Sequence, residues 1–459
     1  MMDTAAAARA VRGRALGGAV RFARVTTDSR TLAPGDLFVA IRGERFDGHD
    51  FVRAAFERGA AAALVADDRA AALAGPLVAV ADPLAALGQL AAYWRARFAI
   101  PVIVVAGSNG KTTVKEMLAT ILRTHYGEAR ALATEGNLNN AIGLPLTLLR
   151  LRPQHAAAAI ELGMNHPGET AELAAIARPT VAVVNNAQRE HQEFMNSVAD
   201  VAEEHAALVR ALPDDGSAVL NADDPHVDIW RAAAHQRPGV RVIDFALAHP
   251  AAIRLRDANA PLAGAIRIST IAGDATLRID APGRHNLSNA LAATGAALAI
   301  GVPLTAIVDG LAAFHPVAGR LVTVRTAAGV TVIDDTYNAN PDSVRAAIDV
   351  LAAHAPPRWL VLGDMGEVGV QGASFHREVG AYARIAGIDR LLTLGTLTAE
   401  SAAAYGTPAR HFAAIDALIE HVVATAAAGT TVLVKGSRVM RMERVVAALC
   451  GDAHSEGSH

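Results

Sequence analysis

The chain has 459 residues, 52% of them apolar and 19% charged, which supplies ample core material and excludes an intrinsically disordered chain. Its 42 basic and 45 acidic residues give a net charge of -3, so no basic excess marks a nucleic-acid binder. The single cysteine, Cys450, excludes an intrachain disulfide and any cysteine-cluster metal site, which suits a reducing cytosol.

At roughly 150 residues per domain, the length predicts about three domains. Met1 to Val20 is rich in Ala and Arg without a continuous apolar run, so no secretory signal is expected there. The first region, residues 1–98, mixes short strands such as 36–40 with Ala-rich helices. The second, 99–314, opens on a buried-type strand at 101–106 that runs into a glycine-rich turn and a helix from Lys111. Further strands are predicted at 157–161, 181–185 and 217–221, with helices between them. The uncharged stretch 290–308 contains Gly295, Gly301 and Pro303, which fit a buried helix at 287–300 better than a membrane span. A soluble, cytoplasmic protein is therefore expected. The third region, 315–459, alternates again, with strands at 330–334, 359–363, 390–394 and 430–434. This alternation predicts an α/β protein whose central sheet is mostly parallel and covered by helices on both faces.

Only three of the 42 basic residues are Lys: Lys111, Lys115 and Lys435. Arg and Lys serve equally as solvated charge, so a Lys that survives this bias is expected where a compact, mobile ammonium is needed. Lys111 ends the turn Gly107-Ser108-Asn109-Gly110-Lys111-Thr112-Thr113, directly after an apolar strand. Gly107 and Gly110 permit backbone angles that let several N–H groups converge on one anion, and the helix N-terminus adds partial positive charge. Lys111 is expected to reach the β- and γ-phosphates of a nucleotide, and the Thr112 hydroxyl to take Mg²⁺. An ordinary strand–turn–helix corner needs neither the Lys nor the paired Thr. A guanine-selecting switch is excluded, because N-K-x-D needs an Asn directly before a Lys and no Lys here has one.

The turn departs from G-x-x-x-x-G-K-[ST], since Val105 occupies the first Gly place. In this shortened form, extended through Val114-Lys115-Glu116-Met117, it resembles the Mur ligase family, and the likeness covers nearly the whole chain. The resemblance implies a central P-loop domain, a Rossmann-like C-terminal domain from 315, and a smaller N-terminal domain that binds a UDP-linked substrate through Asp28, Ser29 and Arg30. It implies that Glu161, with Thr112, holds Mg²⁺ and that His191 contacts a second Mg²⁺; a lone Glu would otherwise read as a helix-capping or salt-bridged residue, and a lone His as a surface or packing residue. Asn137, Asn139 and Asn140 would line the acceptor and γ-phosphate site. His285 and Asn286 would lie beside the adenine, although Asn286 or Ser288 also reads as a helix cap. Arg320 would contact the γ-phosphate as the last domain closes. Asp335 would sit on the nucleotide, and Tyr337, Asn338, Asn340 and Lys435 near the substrate, ahead of a helix capped near Asp342.

Many members carry a carbamylated Lys on the helix after the His motif, holding a second metal. Here the stretch 200–209 has no Lys and His205 falls at that place, with Glu203 and Glu204 as further candidates. The activity implied is acid–amine ligation: ATP phosphorylates the terminal carboxylate of UDP-N-acetylmuramoyl-tripeptide, and the amine of D-alanyl-D-alanine displaces phosphate. Those two small molecules are the expected partners. Neither nucleic acid nor membrane insertion is expected, and nothing demands more than a monomer. The signatures V-K-E-M, T-Y-N-A-N-P and K-G-S-R argue against members that add the third peptide residue or polyglutamylate folates. A catalytically silent nucleotide-binding scaffold is the reading from another class.

Overall fold

The computed structural model describes residues 1–43, 45–257 and 264–451. Among these, three helix-flanked sheets succeed one another along the chain. The first runs in the order Arg14–Leu16, Leu77–Val80, Ala62–Ala66, Leu37–Val39, Val25–Thr26, parallel except for its first pair. The strand expected at 36–40 is the shorter Leu37–Val39, and the Asp36 N–H bonds the Ala33 carbonyl at 3.2 Å in the preceding turn. The helix Pro83–Arg95 leaves this sheet with Asp82 as its cap and Pro83 in its first turn. Its end is docked on the central unit: the Trp94 indole donates to the Leu151 carbonyl at 3.0 Å, and Arg95 donates to those of Ala177 and Arg178, each at 3.1 Å. One apolar cluster extends from Leu37 and Leu64 through Leu90 to Val104 and Leu173, so the first two units share a core.

The central sheet has nine strands, in the order Gly273–Ile279, Gly264–Thr270, Ile253–Leu255, Arg241–Ala246, Ser217–Asn221, Val181–Val184, Val102–Ala106, Ala157–Glu161, Ala131–Ala133. The pairings are parallel except for the two that involve Gly264–Thr270. Val102–Ala106 lies between Val181–Val184 and Ala157–Glu161 in parallel register. The chain fills one side of that strand before crossing to the other, and such a switch point opens a crevice at the carboxyl ends of the strands. The helix Arg284–Ala299 packs on this sheet, starting three residues earlier than the predicted 287. Its cap is neither Asn286 nor Ser288 but Gly283 at φ 100°, where a Cβ would come within 2.6 Å of the His285 ring. The Asn286 amide instead donates to the Pro282 carbonyl at 2.8 Å.

The third sheet runs Val322–Arg325, Thr331–Asp335, Thr431–Lys435, Arg358–Gly363, Arg390–Leu394, Ala409–Phe412, parallel beyond its first pair. The helix Pro341–Ala352 is capped by Asn340 in a reciprocal capping box with Ser343, not by Asp342. Asp342 is drawn away because Arg189 of the central unit holds its carboxylate at 2.6 Å. The apolar clusters of this unit contain no residue before Leu321, so its seat on the central unit is polar. A polar seat of this kind permits domain motion.

Arg189 is the chief tie between these units. Its guanidinium bridges Asp342 and Glu378, each at 2.6 Å, and lies 5.2 Å from the Phe375 ring centre. Burial opposes ionisation of Asp342, but Arg189 outweighs it and holds the carboxyl below its usual range; the hydrogen bond from Arg189 does the same for Glu378. Groups with depressed carboxyl pKa values stabilise a contact above their free pKa and lose that effect as pH falls through the lowered value. Arg189→Ala is therefore expected to enlarge the nucleotide-free radius of gyration in X-ray scattering. The wild type should follow only below about pH 4, the ordinary carboxylate range. Unchanged scattering for the variant would contradict this.

Candidate active site

The strand Val102–Ala106 is buried along its length and stops at Gly107, whose φ of 134° turns the chain into the loop. Gly110, at φ 83°, begins the helix Lys111–Tyr126; a Cβ there would come within 2.3 Å of the Asn289 side chain. Only glycine fits. The N–H groups of Ser108 and Asn109 bond the Asn186 carbonyl and side chain at 3.0 and 2.8 Å. The outer arm of the turn is thus fixed by protein, which leaves the N–H groups of the first helical turn, without intrahelical acceptors, as those an anion could meet. Asn185 supports the loop from beneath, donating to the Asn109 carbonyl and the Asn289 side chain, both at 2.8 Å. Lys111 is folded back, donating to the carbonyls of Gly107 at 2.6 Å and Ser108 at 3.2 Å.

This turn opens into a cavity of about 1270 Å³. From the central unit Ser108, Asn109, Lys111, Thr112, Thr113, Asn137, Asn139, Asn140, Glu161 and His191 line it. His285 and Asn286 line it too, and burial pushes the His285 imidazole below its usual range. Glu161 is 2% exposed: its Oε1 accepts from Asn139 at 2.7 Å, while its Oε2 is buried without a hydrogen-bond partner. Asn140 turns toward the following helix, its side-chain oxygen accepting from Gly143 N–H at 2.9 Å.

The third unit contributes Arg320, Asp335, Tyr337, Asn338, Asn340 and Lys435. Arg320 donates to the Thr112 hydroxyl at 2.8 Å and lies 4.2 Å from the Tyr337 ring centre. Asn340 and Asn109 join side chains across the units at 3.0 Å. Lys435 is 3% exposed, its ammonium held by Asp335 at 2.6 Å and by the Asn338 carbonyl at 2.8 Å. Asp28, Ser29 and Arg30 do not line this cavity, and Arg30 folds onto Asp28 at 2.9 Å.

Glu190 is the residue that sequence reasoning missed. Its carboxylate is 3.4 Å from Lys111 Nζ, 3.3 Å from His205 Nε2 and 3.8 Å from His191 Nε2. Burial alone would push this carboxyl up; Lys111, then His205 and His191, overcome it and hold it at about 2. Of the three candidates on the helix Val198–Arg210, only His205 faces this corner. Glu203 pairs with Arg210, and Glu204 accepts from the Gly168 and Thr170 N–H groups at 2.9 and 2.8 Å. Three consecutive side chains thus reach three places: Arg189 to Asp342, Glu190 to Lys111, and His191 to Glu367 at 2.7 Å. A carboxylate directly before the His was the available signal.

The Mur ligase middle domain matches residues 105–297, the Mur ligase glutamate ligase domain 319–438, and the Mur ligase family catalytic domain 21–95. The UDP-N-acetylmuramoyl-tripeptide--D-alanyl-D-alanine ligase of Escherichia coli (strain K12) is 40% identical over 445 residues, 95% of this chain and 96% of that one. A crystal structure of MurF from Acinetobacter baumannii shares a TM-score of 0.89 at 33% identity, over 98% of both chains. MurF ligase from Thermotoga maritima, solved in complex with ADP, shares a TM-score of 0.82 at 26% identity, over 93% of this chain and 96% of that one. By these matches along its length, the chain belongs to the Mur ligase family.

Proposed function

We propose that the chain is an ATP-dependent ligase joining D-alanyl-D-alanine to UDP-N-acetylmuramoyl-tripeptide through an acyl phosphate. The observation that carries this reading is that a single cavity receives Lys111, Glu161 and His191 from the central unit and Arg320 and Asp335 from the last. The E. coli relative, 40% identical over 95% of the chain, supports the substrate pair. We assign residues 1–98 to the UDP-linked substrate through Asp28, Ser29 and Arg30, 99–314 to ATP, and 315–459 to closure and the dipeptide.

Lys111 leaves the carbonyls of its own turn and takes the β- and γ-phosphates as the helix N-terminus receives the same charge. Arg320, planar and permanently charged, meets the γ-phosphate once nucleotide displaces it from the Thr112 hydroxyl. His285 and Asn286 border the adenine, and Asp335 the nucleotide's other side. Asn137, Asn139 and Asn140 orient the acceptor carboxylate, while Tyr337, Asn338, Asn340 and Lys435 shape the dipeptide's place. Seating the last domain excludes water from the acyl phosphate. The amine then attacks the carbonyl carbon, the C–O bond to phosphate breaks, and the amine loses its proton as the amide forms.

A divalent cation fits this corner, because Glu161 presents a buried oxygen with no partner beside the Thr112 turn. Thr112 and Glu161 are the residues that would hold it, and His191 would contact a second, with Glu190 and His205 beside that imidazole. No preassembled group of three His, Cys, Asp or Glu ligands occurs among the described residues. That agrees with Mg²⁺, which is bound through few protein ligands plus substrate phosphates. When bound it neutralises charge between phosphate and carboxylate.

No helix among the described residues is long and apolar enough to cross a membrane. We take the chain to act as a cytoplasmic monomer. The test is ADP release measured with each substrate omitted in turn. Release that requires both the UDP-tripeptide and the dipeptide is expected; ATP turnover indifferent to the dipeptide would overturn the ligase reading.

A further inference from the structure

Lys115 is the one Lys the proposed chemistry leaves unused, and it is 0% exposed. Charged side chains are almost never fully buried unless paired, and a buried ammonium needs its donors satisfied. Its Nζ bonds the Glu116 carboxylate and donates to the Thr134 carbonyl at 2.8 Å. Glu116 is 27% exposed in its side chain, so water solvates it without help. The Thr134 carbonyl is the contact that requires the ammonium. Arg, the usual cation of this chain, would bring a planar fork of five donors to a site with one carbonyl and one carboxylate.

Thr134 stands at the root of the 134–140 loop and is pinned on each side. Its N–H donates to the Ala159 carbonyl at 3.1 Å, and its hydroxyl accepts from Glu161 N–H at 2.9 Å. Asn139, farther along the loop, donates to Glu161 Oε1 at 2.7 Å, and its carbonyl accepts from Gly163 N–H at 2.9 Å. Gly163 permits that approach, since a Cβ there would meet the Asn139 side chain at 2.9 Å. Lys115 lies one helical turn after Lys111, so both ammonium groups leave the same face of one helix. One reaches the phosphate turn, the other the wall behind Glu161.

We propose that Lys115 is a positioning residue: through Thr134 it fixes Glu161 and the 134–140 loop relative to the phosphate helix, and so sets the acceptor against the nucleotide. This rests on the ligase reading for its kinetic consequence, but not for its structural one. The variants are Lys115→Met and the pair Lys115→Met/Glu116→Gln, the second leaving no unpaired charge. In the double variant, amide hydrogen exchange is expected to rise about tenfold over residues 134–140 and at Glu161, with 107–113 unchanged. ADP affinity should stay within about twofold, while kcat falls about tenfold and the KM for UDP-tripeptide rises, the scale of a small misplacement. Wild-type exchange in 134–140, or a loss of turnover matched by an equal loss of ADP affinity, would overturn the proposal. Wild-type protein inactive with both substrates would overturn the ligase reading alone, and the exchange measurement would still decide the role of Lys115.

Discussion

Replacing Lys111 by Ala is expected to lower dipeptide-dependent ADP release by about 10³-fold, the order seen when one preorganised charge-stabilising donor is removed from an active site. The ammonium is parked on the Gly107 and Ser108 carbonyls, 3.4 Å from a buried carboxylate of Glu190, so nucleotide phosphate competes for a donor already in place. The single variant also leaves Glu190 with only the two imidazoles beside it, and breaking a buried pair is destabilising by several kcal/mol. Lys111→Ala/Glu190→Gln removes both charges. It should regain thermal stability relative to Lys111→Ala while staying inactive, which separates the phosphate role of Lys111 from its ion pair. Substantial turnover in either variant, followed by coupled ADP assay, would contradict the site.

Arg320→Ala is expected to lower kcat by at least about 10²-fold, and Arg320→Lys nearly as much. Lys offers a point charge where the guanidinium bonds Thr112 and lies over the Tyr337 ring at once. Because Arg320 is assigned to the γ-phosphate, ADP affinity should change less than about threefold in either variant. Affinity for a non-hydrolysable ATP analogue should fall with kcat. Calorimetric titration with both nucleotides distinguishes this from general damage to the cleft, which would weaken both alike.

What the sequence disclosed follows the range of the interactions concerned. Strands at 157–161, 217–221 and 390–394 lie where continuous apolar runs put them, because both faces of those strands are buried and no register choice arises. The hairpin of Gly264–Thr270 and Gly273–Ile279 and the edge strand Val322–Arg325 escaped notice. Each carries exposed residues interleaved with partly or fully buried ones, and the alternation is short and rich in Arg, Ser and Thr. The glycine turn before Lys111 was legible because its conformation is set within a few residues, by Gly107 and Gly110 at positive φ. Glu190 was not, since it lies in a loop and its partners Lys111 and His205 come from two separate helices. The cap expected near Asp342 is Asn340, two residues earlier, and the Asp342 carboxylate is instead claimed by a partner 153 positions away. Choosing His205 over Glu203 and Glu204 likewise needed the packing of the helix Val198–Arg210, because all three are neighbours in sequence but point to different surroundings.

On this reading a nucleotide's terminal phosphate lies between the Lys111 turn and Arg320. A crystal structure with a non-hydrolysable ATP analogue and Mg²⁺ tests it most directly. The γ-phosphate is expected within hydrogen-bond reach of Lys111 Nζ and the Arg320 guanidinium, with Lys111 released from the Gly107 and Ser108 carbonyls. A nucleotide seated elsewhere, or one that leaves Lys111 on those carbonyls and Arg320 on Thr112, would contradict the account.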